Sequence, residues 1–157
     1  MLKAGIPGER LVTIYKGHDP SWYQSSGPPP DLSSEFGIPP DAFVVGCAAN
    51  VRVSKGADVL LKAVHQLVDV PVIHFLLMGT VSDRGILRSA DDPRSAGRLH
   101  LTGFRKDARH LLGGCDLCVM SSRTEGLPKG VIEARAQGVP AVVTRVGGLP
   151  ELVEDGV

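Results

Sequence analysis

The chain has 157 residues, seventeen Lys plus Arg against seventeen Asp plus Glu, and so no formal net charge. That length suits one domain with a real core and is short for a two-domain enzyme. The absence of excess positive charge argues against nucleic acid or an anionic membrane surface as a partner.

Residues 1–41 read as a connector. Gly17, Pro20, Pro28, Pro29, Pro30, Pro39 and Pro40 interrupt any regular element there. Only residues 10–15, Arg-Leu-Val-Thr-Ile-Tyr, have the β-branched and aromatic content of a short strand. The N-terminus has no apolar core of a signal peptide, and the chain nowhere holds a membrane-spanning apolar run, so it reads as soluble.

From Ala42 the pattern becomes regular, in a unit that runs over 42–157. Short apolar runs predict strands over 43–49, 72–78, 98–102, 116–120 and 141–144. Between the first two, Ala57, Leu60, Leu61, Val64, Leu67 and Val68 recur at the spacing of one buried helix face. A second helix is expected over 107–112, with Gly113 and Gly114 as a left-handed stop. A third covers 131–137 before Gly138 and Pro140, and a fourth begins at Pro150. Strict strand–helix alternation implies an α/β fold with a parallel sheet covered on both faces. Ligands of such sheets bind beyond the carboxyl ends of the strands, so the chemistry belongs in the loops that follow them.

Three cysteines, Cys47, Cys115 and Cys118, are too sparse for a disulfide framework and fit a reducing cytosol. The Cys-x-x-Cys at 115–118 leads from two glycines into an apolar strand and reads as buried bystanders rather than redox thiols. The five histidines show no metal-ligand spacing with the cysteines, so neither a metal nor another cofactor is expected. No loop matches the glycine patterns of dinucleotide or ATP sites.

After the first strand, Arg52 and Lys55 stand just before a helix, where backbone N–H groups and the helix dipole favour an anion. The plainer alternative leaves both side chains in solvent. After the fourth strand, Gly126 permits close backbone approach to a ligand and Pro128 suits the first helical position. Glu133 then falls in the second turn among apolar neighbours and needs partners such as the two vicinal hydroxyls of a ribose. Glu125, in the loop, can accept from sugar hydroxyls. Alternatively, Glu125 is a solvated acid and Glu133 simply favours the positive start of its helix. The Gly147-Gly148 pair before Pro150 reads as a further close-approach or anion loop.

These segments together resemble the retaining group 1 glycosyltransferases of GT-B architecture, from Leu11 onward. The most specific element is Glu125 and Glu133 with seven residues between them, inside Ser122-Arg123-Thr124-Glu125-Gly126-Leu127-Pro128 and followed by Ala134-Arg135-Ala136-Gln137-Gly138-Val139-Pro140. Gly147-Gly148-Leu149-Pro150-Glu151 resembles the next landmark of that family. The resemblance implies a Rossmann-like, doubly wound parallel sheet, the C-terminal, nucleotide-sugar-binding half of such an enzyme. It implies that Glu125 contacts the donor sugar, Glu133 holds the ribose, and Arg52 and Lys55 neutralise the diphosphate. Backbone N–H groups of Gly126, Leu127 and Lys129 complete the phosphate cradle, and Phe104 lies at the nucleobase, unless it is a packed core residue. Family members commonly carry an arginine five residues before the lysine, where this sequence has Asn50, and an asparagine before the connector glycine, where it has Lys16.

The expected partners are a nucleotide-sugar donor and an N-terminal acceptor-binding domain, through which any membrane association would come. The chain is expected to be a fragment, inactive in transfer by itself. Two other readings compete: a nucleotide-sugar-binding module without catalysis, and a sugar-nucleotide epimerase of related architecture.

Overall fold

A computed structural model describes residues 5–156 except 16, 25, 26, 83 and 96, so the connector's Lys16, Ser25 and Ser26, the first four residues and Val157 lie outside it. Five strands form one sheet: β1 (Phe43–Cys47), β2 (Ile73–Met78), β3 (Leu99–Gly103), β4 (Leu117–Met120) and β5 (Ala141–Val143). Their order is β3-β2-β1-β4-β5 and every pairing is parallel. Among the described residues α1 (Leu32–Phe36) precedes the sheet, and four helices join its strands: α2 (Ala57–Gln66), α3 (Arg84–Ala90), α4 (Ala108–Leu112) and α5 (Lys129–Ala136). This is the doubly wound α/β arrangement expected of the sequence.

Alternating side chains of the central strands supply two cores, as the period of two in a strand requires. Val44, Leu76, Met78 and Cys118 face one side and pack with Leu111 and Leu112 of α4 and Ala134 of α5. Val45, Phe75 and Leu77 face the other and pack with Leu60, Leu61 and Val64 of α2 and Ile86 of α3. Removal of these apolar surfaces from water is the main drive for the fold, about 25 cal/mol for each Å² buried. The last turn of α2 is tied to the start of β3 by Arg98, only 8% exposed, whose guanidinium donates to the carbonyls of Val64 and Leu67 at 3.4 and 3.0 Å. A cation there answers the negative end of α2.

Several local expectations need correction. Residues 10–15 form no strand: Gly8–Arg10 is a 3₁₀ turn, and Val12 and Ile14 are 85% and 88% exposed. An extended segment without a neighbour has nowhere to send its backbone hydrogen bonds except to water. Gly113 does not end α4 in a left-handed conformation; its φ of −63° and ψ of −15° are right-handed, and the N–H groups of Gly113, Gly114 and Cys115 bond three residues back in a tightened last turn. Pro128 is the cap residue before α5 and Lys129 its first helical residue. The start at Pro150 is a short 3₁₀ turn, Leu149–Glu151.

Two helices were not expected. α1 lies between prolines, capped by Asp31, which accepts from the N–H groups of Ser33 and Ser34 at 3.0 and 3.1 Å. It sends Leu32 into the core, and Ile38 follows, 7% and 2% exposed. α3 turns Ile86 inward while Leu87 stays 44% exposed, too little apolar periodicity to show in a sequence.

Candidate functional site

The chain builds the sheet outward from β1 through β2 to β3, then returns to the other side of β1 with β4 and β5. The crevice between the carboxyl ends of β1 and β4 is therefore the switch point where such sheets bind ligands. A cleft of ≈ 550 Å³ opens there. Asn50, Arg52 and Lys55 reach it from the loop after β1, Phe104 from the loop after β3, and Glu125, Lys129 and Glu133 from the segment after β4.

At its centre Lys55 Nζ lies 2.7 Å from Oε1 of Glu125, whose side chain is 6% exposed. The same oxygen accepts a hydrogen bond of 2.6 Å from Oγ of Ser122, itself 1% exposed. Lys55 is held in place by how its loop meets the β4 loop. The 3₁₀ turn Val53–Lys55 ends at Gly56, with φ of +67°, and a Cβ there would stand 1.8 Å from the Ser121 carbonyl oxygen. Only glycine fits that left-handed contact. Ser121 Oγ donates to the Gly56 carbonyl at 2.9 Å. Arg123 clamps both carboxylate oxygens of Asp58 at 2.6 and 2.7 Å and donates to the Val53 carbonyl at 2.7 Å. That fork holds the Asp58 carboxyl down to about 2.

The far side of the Glu125 loop rests on the turn after β5. Gly147 has φ of +56°, and a Cβ on it would come within 2.0 Å of the Glu125 carbonyl oxygen. Gly148 N–H donates to the Gly126 carbonyl at 2.8 Å. The glycine pair thus permits close approach to the chain's own loop, which explains its spacing without an anion.

Glu133 is 8% exposed and sits inside the second turn of α5, with Lys129 Nζ 2.8 Å from its Oε1. Phe104 is 71% exposed at the cleft, so it is not a packed core residue. Beside it Arg105 is tied to Asp107 at 2.6 Å and also to Glu35. Of the five cations at the cleft, Lys55, Lys129 and Arg105 thus have carboxylate partners, whereas Arg52 and Lys106 have none within 4.0 Å among the described residues.

Gly126 and Leu127 do not line this cleft. Leu127 lines a neighbouring hollow of ≈ 710 Å³ with Tyr15, Ile132, Arg135 and Glu151. Its polar groups already bond one another: Tyr15 donates to Glu151 at 2.5 Å, and Arg135 to the Leu152 carbonyl. The smaller cleft, with cations to spare at the strand ends, is the better ligand site. The N–H groups of Gly126, Leu127 and Lys129 donate to no backbone carbonyl among the described residues. Among those residues no group of three or more His, Cys, Asp or Glu is placed to hold a metal ion. Burial pushes the Cys115 and Cys118 thiols up to about 12, away from the thiolate that redox chemistry needs.

Comparison with known proteins decides the family. Residues 42–157 match the family described as glycosyl transferases group 1. The chain belongs to that family. It is 35% identical over 124 residues to the lipopolysaccharide core biosynthesis glycosyltransferase LpsE of Rhizobium meliloti, covering 78% of this chain and 36% of that protein. It is 30% identical over 130 residues to the D-inositol 3-phosphate glycosyltransferase of Mycolicibacterium smegmatis, covering 78% of this chain and 29% of that one. The crystal structure of Anabaena HepE in complex with UDP-glucose superposes with a TM-score of 0.85 at 30% identity, over 99% of this chain and 44% of that one. The group 1 chain described here therefore spans about a third of its curated relatives and under half of its structural neighbour. The fold has the same parallel, Rossmann-like form as the GT-B glycosyltransferases.

The contacts of Asp58, Ser122 and Arg123 were not read from the sequence, although Ser122 and Arg123 lie in its most specific segment: Arg123 meets Asp58 across 65 positions, whereas Ser122 meets Glu125 three residues on.

Proposed function

We propose that this chain is the donor-binding domain of a retaining glycosyltransferase that moves a glycosyl group from a nucleoside diphosphate sugar to an acceptor. One observation carries the reading. In a chain of zero net charge, the cleft at the switch point holds two cations without carboxylate partners among the described residues, Arg52 and Lys106, beside two buried carboxylates, Glu125 and Glu133. A diphosphate flanked by two polyols has the complementary chemistry. HepE, its structural neighbour, was crystallised with UDP-glucose.

In this reading Arg52 takes the diphosphate, with the start of α5 and the N–H groups of Gly126, Leu127 and Lys129. Lys55 serves both ends, holding Glu125 with one N–H and keeping two more for phosphate oxygens. Glu133 takes the ribose hydroxyls, with Lys129 moving from its carboxylate toward phosphate, and Phe104 offers an open ring face to the base. As an acceptor oxygen bonds the anomeric carbon, the bond from that carbon to the diphosphate oxygen breaks, negative charge gathers on the departing diphosphate, and the acceptor's proton passes to it. Fixed cations and helix N–H groups stabilise that charge without a resident metal. The acceptor comes from a second domain, whose closure excludes water.

Calorimetric titration with UDP, GDP and ADP in the absence of divalent metal tests the reading. Selective binding of one nucleotide, weakened by Arg52→Ala, is the expected result. No heat with any of the three at millimolar concentration overturns it.

A further inference from the structure

We infer that Ser122 is a positioning residue that divides the labour of the Glu125 carboxylate, fixing Oε1 to the protein so that Oε2 alone faces the donor sugar. The inference rests on the donor-site reading above and concerns a residue that does not itself line the cleft.

Oε1 of Glu125 receives two charge-appropriate donors, the Ser122 hydroxyl at 2.6 Å and Lys55 Nζ at 2.7 Å. Those two bonds occupy both lone pairs of that oxygen. No group among the described residues bonds Oε2. The carboxylate is thereby asymmetric: one oxygen is saturated by protein and the other keeps two acceptor sites for vicinal hydroxyls.

Ser122 is built to hold this orientation. At 1% exposure its hydroxyl has no water to compete for it. Its carbonyl accepts from Thr144 Oγ1 at 2.5 Å, and Thr144 follows β5 with its own N–H on the Met120 carbonyl at 3.0 Å. Two strand ends thus fix the serine, and the serine fixes the acid. Without its hydroxyl, Oε1 keeps only Lys55, a long flexible side chain, and the carboxylate can turn about its last bond. A group held by two donors from different elements spends little freedom when the sugar arrives, which is the benefit of preorganisation.

The test compares the ratio of dissociation constants for UDP and UDP-glucose across variants of this chain. Ser122→Ala is expected to shift that ratio about three- to tenfold against UDP-glucose, the scale of one hydrogen bond, while UDP itself changes less than about twofold. Ser122→Cys fills nearly the same space with a weak donor and is expected to share the shift, so the comparison survives if the alanine variant is unstable. Ser122→Thr restores the hydroxyl and is expected to restore the ratio. An unchanged ratio in both Ala and Cys variants overturns the inference, as does an equal loss for both ligands, which is what a merely structural serine would produce. If the unaltered chain binds neither nucleotide, the donor-site reading itself fails; if it binds both and the ratio ignores Ser122, only the positioning role fails.

Discussion

The two acids of the cleft differ in how much of their role local sequence could disclose. Glu133 is legible from helical spacing alone, because a carboxylate among Val131, Ile132 and Ala134 must turn partly inward; the structure leaves it 8% exposed. Its assignment to the ribose gives a sharp expectation. Glu133→Ala should raise the UDP dissociation constant roughly tenfold, as for loss of hydrogen bonds to a charged group. Pyrophosphate, which has no ribose, should bind almost as before, and calorimetry with both ligands checks the difference. Lys55 carries the opposite expectation. Lys55→Ala removes a phosphate donor and strands the buried Glu125 with only Ser122, so UDP and pyrophosphate should both weaken by about tenfold or more. Retained pyrophosphate affinity in that variant would remove Lys55 from the diphosphate site. The pairing of Lys55 with Glu125 across seventy positions was not legible, since no spacing rule connects two loops that a sheet brings together.

At the scale of elements, the edge of the sheet carries a titration of its own. His74 of β2 and His100 of β3 stack with ring centroids 5.3 Å apart, and Nδ1 of one lies 3.0 Å from Nε2 of the other. One nitrogen donates and the other must accept, so the contact requires a neutral ring. Burial lowers the pKa of both; Arg98 also lowers that of His74 while Asp41 opposes it, and His74 lowers that of His100. Between the depressed folded values and about 6.5, the unfolded chain binds more protons than the folded one, so stability rises with pH in that window. The contribution is present above about pH 6.5 and is lost as pH falls below it. Urea midpoints measured from pH 7.5 down to 5.5 should decline, and the decline should flatten when both histidines are changed to Gln. The same scale shows why residues 10–15 misled: β-branched content marks a segment that suits a strand, but a ladder needs a neighbour.

For the whole molecule, nucleotide occupancy should appear as stability. Free UDP at about a hundred times its dissociation constant adds about 2.7 kcal/mol, which raises the thermal midpoint by roughly 5–11 °C in a domain of this size. The shift should persist with a chelator present, since the proposed charge stabilisation comes from side chains and helix N–H groups; a shift abolished by chelation would assign part of it to a metal. The chain spans 44% of HepE.

The sequence by itself determined the five strands, their alternation with helices and the identity of the charged loops. Apolar runs buried on both faces and a 3.6-residue stripe in α2 are local patterns that survive in one dimension. It also contained the Glu125 and Glu133 spacing, because both lie on one loop and the helix that follows. Only the tertiary structure decided that α1 joins the core, that Phe104 is exposed, that the Gly147-Gly148 turn buttresses the Glu125 loop, and that Ser122 and Lys55 share one carboxylate oxygen. Each of these depends on which segments the parallel sheet makes neighbours, and the order of strands follows from packing the whole chain.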